Sequence, residues 1–329
     1  MKNKSISYSS SLASIFEGYV EEKRAVGYKY NKGASILRLL DNLSVEQNVK
    51  GENLSKEIVL LWTKKKAGEK ESTRSARISL VKGLGQYMVR LGYKAYIYPD
   101  KATRVDRHHY VPYIFSEAEL TKIFTAADNV SYSSVSPVRH LVLPLLFRLL
   151  YGCGLRISEA LNLKISDVNL KDGILNIRQT KLDKDRLVPM SQSLTEQCKK
   201  YACKSHKVYP QNSYFFPSPN GSKYSDKCIY DYFRKFLWSA GISHGGRGHG
   251  PRVHDFRHCH AVHCLKKMVK QGEDLTAVLP YLSAYLGHVD LRGTQYYLRL
   301  TADLYPTIVS AVESSYPNLI PEVTPNERD

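Results

Sequence analysis

The stretch Ile174-Leu175-Asn176-Ile177-Arg178-Gln179-Thr180-Lys181-Leu182-Asp183-Lys184-Asp185-Arg186-Leu187-Val188-Pro189 sets two β-prone runs, Ile174 to Arg178 and Arg186 to Val188, on either side of a polar turn. Two short runs rich in branched residues around such a turn read as a hairpin. Just upstream, Val168 to Leu170 precede the turn Lys171-Asp172-Gly173 and supply a third strand. Outward from this point the periodicity changes. Leu141 to Leu150 read as a buried helix ending at Gly152 and Gly154, and Ser116 with Glu119 fits a capping box for an earlier one. Tyr230 to Leu237, His258 to Met268, Leu279 to Leu286 and Asp303 to Val312 read as helices downstream. The fold class expected is therefore mainly α with a small antiparallel β-sheet.

Further toward the N-terminus, Pro99, Asp100 and the polar stretch Lys101 to His109 break the pattern and read as a linker. Ahead of it four helices are expected. Leu12, Ile15, Phe16, Tyr19 and Val20 mark the first, behind a serine cluster suited to capping. Ile36, Leu40 and Leu43 mark the second, Ile58, Leu61 and Trp62 the third, and Ile78, Val81, Leu84, Met88 and Leu91 the fourth. The boundaries expected are a helical domain over 1–100, a linker over 101–113, a second domain over 114–315 and an irregular tail over 316–329.

Charge narrows the partner. Over 329 residues the formal net charge is +17, a field that attracts polyanions, nucleic acid foremost. Met1 to Val105 carry 20 Lys and Arg against 10 Asp and Glu, a net of +10, and the remainder carries +7. Basic charge on both parts suits a protein that surrounds its ligand. Lys64, Lys65, Lys66, Lys70, Arg74 and Arg77 lie on polar faces of the first domain, placed either to meet phosphates or simply to solvate helix ends. The six cysteines include no Cys-x-x-Cys pair, as expected of reduced thiols, and no apolar run approaches the roughly 20 residues of a membrane span. A soluble intracellular protein with no membrane partner is expected.

Four segments carry candidate chemistry. In Gly154-Leu155-Arg156-Ile157-Ser158-Glu159-Ala160, Arg156 stands at a glycine break where a new helix begins, a place suited to phosphate. Lys181 and Lys184 occupy the hairpin turn. In His254-Asp255-Phe256-Arg257-His258-Cys259-His260-Ala261, residues 254, 257 and 258 share one helical face. A zinc site there fits poorly: no ligand pair has finger or ribbon spacing, and an arginine between histidines repels a cation. The fourth segment runs from Leu286-Gly287-His288 to Gln295-Tyr296-Tyr297.

Together, in this order, the four segments resemble the tyrosine recombinase, or phage integrase, family. The specific part lies between about Tyr113 and Thr301; the helical N-terminal part resembles the family's core-binding (SAM-like) DNA-binding domain in size and helix content, and the rest its α+β catalytic domain. The resemblance implies six catalytic residues: Arg156, the hairpin Lys181, His254 and Arg257 of a His-x-x-Arg pair, His288, and Tyr297 as nucleophile. Tyr296 stands where the family commonly has an apolar residue and is read as packing. Cys259 stands where threonine is common, behind Arg257 rather than at a catalytic position.

The implied chemistry is coherent. Two arginines each place parallel hydrogen bonds on the nonbridging oxygens of a phosphodiester as charge builds, and His288 adds a further donor. Tyrosine, with an ordinary pKa near ~10, needs a base, implied to be His254; Lys181 is implied to protonate the leaving 5′ oxygen. The product is a 3′-phosphotyrosyl link, and attack by a 5′ hydroxyl from another duplex completes strand exchange through a Holliday junction. No cofactor is implied, neither ATP nor a metal. The implied partners are double-stranded DNA with a specific recombination site, three further copies in a homotetramer on two sites, and accessory DNA-bending or partner recombinase proteins, in a cytoplasmic, nucleoid-associated, bacterial setting. Leu304, Ile308, Val309 and Val312 form an apolar stripe that either docks on a neighbouring copy or packs in its own domain. Rival readings are a type IB topoisomerase-like activity, a catalytically inactive DNA-binding regulator and a metal-dependent nuclease.

Overall fold

A computed structural model describes residues 6–99, 111–178, 185–206, 210–246, 249–288, 292–298 and 300. The chain divides into two compact units, Met1–Tyr110 and Val111–Asp329.

The described residues of the first unit form four helices: α1 (Ala13–Ala25), α2 (Asn31–Glu46), α3 (Lys56–Thr63) and α4 (Glu71–Arg90). Apolar residues at helical spacing converge in one core, in which Phe16, Leu37, Leu40, Val59, Val81, Leu84 and Met88 are fully enclosed. The serine cluster does not cap α1 as expected. No side chain caps that helix; the backbone N–H groups of Ser9 and Ser10 instead donate to the Asp41 carboxylate of α2, at 2.8 and 2.9 Å. A buried carboxylate needs donors, and these serines supply their main chain. Ser55 does cap α3, accepting from the Ile58 N–H.

The second unit begins with α5 (Glu117–Asp128), where Ser116 and Glu119 form the expected capping box. Next come α6 (Arg139–Gly152) and the short α7 (Ile157–Asn162), then β1 (Val168–Asn169), β2 (Ile174–Ile177) and β3 (Arg186–Pro189). The strands form one antiparallel sheet in the order β1-β2-β3, with Leu175 opposite Val188 and Ile177 opposite Arg186. Leu175, Ile177 and Val188 are buried, so one face lies on the core. Period-two alternation puts Arg186 on the same face as Val188, which decides where its charge must find a partner. Five helices follow among the described residues: α8 (Gln192–Ser205), α9 (Asp226–Ser239), α10 (Asp255–Lys270), α11 (Leu275–Leu286) and α12 (Arg292–Leu298). The expected helix from Asp303 to Val312, with its apolar stripe, lies outside the described residues. No helix among those described is long and apolar enough to cross a membrane.

Phe256 of α10 is the pivot of the larger core, its ring 5.4 Å from Phe115, 5.6 Å from Phe147 and 5.7 Å from Phe233. Such aromatic packing fixes the rotation of the helix about its axis. On the other side of α10, Ala261, Val262 and Leu265 gather Leu282, Leu286 and Tyr297 into a second cluster. The residue after Phe256, Arg257, is thereby held between the two. Cys259 ties the helix to the start of the unit, its sulfur accepting from the Phe115 N–H at 3.1 Å, and burial pushes its thiol up to about 12.

Candidate active site

Two glycines make the site possible. Gly154, after α6, has φ +58°, and a Cβ there would stand 2.7 Å from the His260 ring and 2.9 Å from Leu286. Gly287, after α11, has φ +68°, and a Cβ there would press on the Arg186 guanidinium at 2.9 Å. Both positions require a left-handed backbone and close approach at once, which glycine alone combines cheaply. The result is that main-chain carbonyls face inward.

Arg257, only 1% exposed, donates to two of them: Nη1 to the Gly154 oxygen at 2.9 Å and Nη2 to the Leu286 oxygen at 2.5 Å. Burial and the nearby Arg156 charge lower its pKa to about 10, so the guanidinium is still charged at neutral pH. Carbonyls satisfy the N–H groups without cancelling the charge.

Arg156 is the residue immediately before α7, and its side chain is one-third exposed. Its Nη1 donates to Glu159 Oε1 at 2.6 Å and its Nη2 to the Gly287 oxygen at 3.3 Å, while its backbone N–H donates to Glu159 Oε2 at 2.9 Å. Glu159 also accepts from Arg186, Nη1 to Oε1 at 3.0 Å and Nη2 to Oε2 at 2.9 Å. Burial alone would raise the Glu159 carboxyl; the Arg186 hydrogen bond, the Arg156 N–H and both guanidinium charges outweigh it and hold the pKa down to about 2.

Tyr297 of α12 is 2% exposed and lies in the field of Arg257. Burial raises its phenol above the ordinary value, opposed by Arg257 and then Arg156. Its ring lies 5.5 Å from that of His258 and 6.0 Å from that of His288. His288 is oriented by a 2.7 Å hydrogen bond between Nδ1 and the Thr294 hydroxyl, itself fully buried. The loop before α10 is closed by the Arg252 N–H donating to Asp255 at 2.8 Å, which delivers His254 to the mouth of the site. Burial, and after it the charges of Arg257 and Arg156, push the His254 imidazole down to about 4, even though part of the residue is open to solvent. The His258 ring, 4.8 Å from His254, is pushed lower still, to about 3, chiefly by burial, and its Nδ1 has no hydrogen-bond partner among the described residues.

The fold thus gathers Arg156, His254, Arg257, His288 and Tyr297 within one constellation of the second unit. Lys181 lies outside the described residues. Tyr296, half-buried beside Tyr297 at 6.2 Å between rings, packs against the same cluster. Sequence reasoning gave no role to Glu159, Arg186 or Thr294. The first two sit inside quoted segments, and a carboxylate three residues after Arg156 was a usable signal. It also placed His258 on one helical face with His254 and Arg257 without seeing that its ring packs on Tyr297. Among the described residues no group of His, Cys, Asp or Glu is arranged to hold a metal ion.

In the first unit, Lys64, Lys65, Lys66 and Lys70 are exposed, as a phosphate-facing set requires. Lys65 is paired with Glu71 at 2.9 Å. Arg74 is partly committed to the Thr63 carbonyl. Arg77 departs from the expectation: it is 5% exposed and bound to Glu69 through Nε at 2.8 Å and Nη2 at 2.6 Å, and to the carbonyls of Trp62 and Lys64. Its guanidinium holds the turn between α3 and α4 and has no face left for a phosphate.

Residues 114–303 match the model of the phage integrase family. A putative integrase/recombinase, y4rB, of Sinorhizobium fredii is 28% identical over 312 residues, covering 92% of this chain and 98% of the relative. A second from the same organism, y4rE, is 31% identical over 293 residues, covering 88% and 91%. Among solved structures, XerH site-specific recombinase bound to palindromic difH substrate, in a post-cleavage complex, matches in fold with a TM-score of 0.64 at 22% identity, covering 92% of this chain and 85% of the other.

Proposed function

The chain belongs to the phage integrase family, the site-specific tyrosine recombinases of DNA, and from that premise we propose that Tyr297 is its nucleophile, served by Arg156, Lys181, His254, Arg257 and His288. The phenolic oxygen of Tyr297 attacks the scissile phosphorus, and its proton passes to His254, held neutral at physiological pH by its depressed pKa. The bond to the 5′ oxygen breaks, and Lys181 supplies that oxygen with a proton. Arg156 and Arg257 carry the charge of the five-coordinate state. Attack by a 5′ hydroxyl on the phosphotyrosyl link reverses the step and joins a new strand.

The observation that carries this reading is the burial of Tyr297, 2% exposed, in the field of Arg257, itself a buried cation bonded to neutral carbonyls. On the same premise the active species is a homotetramer spanning two DNA sites in the cytoplasm of a bacterium, with Lys64, Lys65, Lys66 and Lys70 along the backbone and accessory DNA-bending or partner recombinase proteins at some sites. Denaturing capture of protein-linked DNA from expressing cells, followed by sequencing, tests the function. One recurrent junction is expected from the wild type and none from Tyr297→Phe; adducts of equal yield from both would refute it.

A second observation concerns the proton. The His258 ring stands between His254 and Tyr297. His254→Asn and His258→Asn separate the two routes: a larger loss of cleavage rate from His254→Asn supports the assignment above, and the reverse order transfers the base role to His258.

A further inference from the structure

Arg186 belongs to none of the six catalytic positions, yet it meets both groups that hold Arg156. Its Nη1 and Nη2 take the two oxygens of Glu159, its Nε donates to the Tyr285 carbonyl at 2.9 Å, and its guanidinium rests on Gly287, whose carbonyl accepts from Arg156. With 9% of its side chain exposed, it is spent on the protein and not on a substrate.

We propose that Arg186 is a positioning residue that neutralises Glu159, so that Arg156 is oriented by the carboxylate and still keeps its positive charge for the scissile phosphate. The inference rests on the strand-transfer reading above. One carboxylate is shared by two guanidiniums, so the group carries a net positive charge. Without Arg186, Glu159 and Arg156 form a neutral pair, and a phosphate arriving at Arg156 competes with a carboxylate whose full charge faces the same cation. The geometry asks for arginine: one planar fork bonds two carboxylate oxygens while its Nε reaches a carbonyl, which a lysine ammonium does not reproduce.

The test uses the full chain and a nicked duplex bearing the junction recovered from covalent adducts, in two versions. One has a normal scissile phosphodiester; the other has a methylphosphonate there, whose reacting phosphorus carries no charge. Arg186→Gln is expected to slow adduct formation on the phosphodiester by about 10- to 100-fold, with noncovalent DNA affinity unchanged. On the methylphosphonate, which carries one negative charge fewer both before and during attack, its deficit relative to wild type is expected to narrow. Adding Glu159→Gln to Arg186→Gln is expected to restore part of the phosphodiester rate. An equal deficit on both linkages, or no deficit on either, overturns the proposal, because a merely structural arginine does not sense the charge of the substrate. Should Arg186→Gln fail to fold, the neutral Arg186→Met serves: a deficit confined to the phosphodiester supports the proposal, and an equal deficit or wild-type rates on both linkages overturn it. If the wild type itself forms no adduct on the phosphodiester, the strand-transfer reading fails with it.

Discussion

Arg77 in the first unit and Arg257 in the second are both buried large side chains, at 5% and 1% exposure, and they are held in opposite ways. Arg77 is matched by a carboxylate, two of its nitrogens on Glu69, with the Trp62 ring 5.1 Å away. Arg257 donates to the carbonyls of Gly154 and Leu286, with Arg156 as a like-charged neighbour and no carboxylate bonded to it among the described residues. Burying a cation is costly, and a carboxylate is the usual compensation. Where carbonyls take that place, the charge is left for something that comes from outside. The first arrangement builds a turn, whereas the second waits for an anion.

Breaking each arginine should therefore damage different things. Arg77→Ala strands Glu69 in the turn, and a loss of about 3–5 kcal/mol in unfolding free energy is expected by denaturant titration. Arg257→Ala should reduce the rate of adduct formation by about 10²- to 10³-fold while DNA binding persists in gel-shift titrations. The contrast collapses if Arg77→Ala slows chemistry as much as Arg257→Ala under conditions where both are folded.

A smaller effect should come from the carbonyls. Gly154→Ala forces a left-handed alanine costing about 1–2 kcal/mol, and its Cβ displaces the His260 ring. We expect lowered thermal stability and a cleavage rate reduced by about tenfold. An alanine variant with unchanged cleavage would show that the Gly154 carbonyl does not set Arg257.

The mildest test is pH. His254 and His258 have folded pKa values depressed to about 4 and 3, below the ordinary imidazole value, so the unfolded chain binds more protons between about pH 6.5 and those values. Their contribution to stability is full above that ordinary value and is lost as pH falls toward the folded ones. A neutral His254 remains a competent base throughout, so single-turnover cleavage should show no break near the ordinary imidazole pKa. A midpoint there would mean that His254 titrates as an exposed histidine and lies outside the field of Arg156 and Arg257.

Local chemistry in the sequence was legible wherever one residue's neighbours decide the outcome. The Ser116–Glu119 box, the hairpin flanking Lys181 and the helix opening after Arg156 depend on contacts within a few residues. The serine cluster before α1 was misread because Asp41, more than thirty residues on, claims its N–H groups. Within the site, motif spacing indicated Arg156, His254, Arg257, His288 and Tyr297, while their supports were hidden for physical reasons. Carbonyl partners leave no residue signature, since every position has one. The Arg186–Glu159 bridge joins a strand to a helix 27 residues earlier, and Arg77 looked like one more basic residue on a polar face until burial against Glu69 showed otherwise. α8 carries its own cap at Ser191 and passed unnoticed because its apolar positions are sparse.

Tyr297, in the field of Arg257, is the residue proposed to take the DNA. Trypsin cuts after Arg292 and Arg299, releasing Gly293-Thr294-Gln295-Tyr296-Tyr297-Leu298-Arg299 with both tyrosines on one peptide. Fragmentation of that peptide by mass spectrometry, after nuclease trimming of a trapped adduct, should place the nucleotide 3′-phosphate on Tyr297. A nucleotide on Tyr296, or on a peptide from elsewhere in the chain, would contradict it.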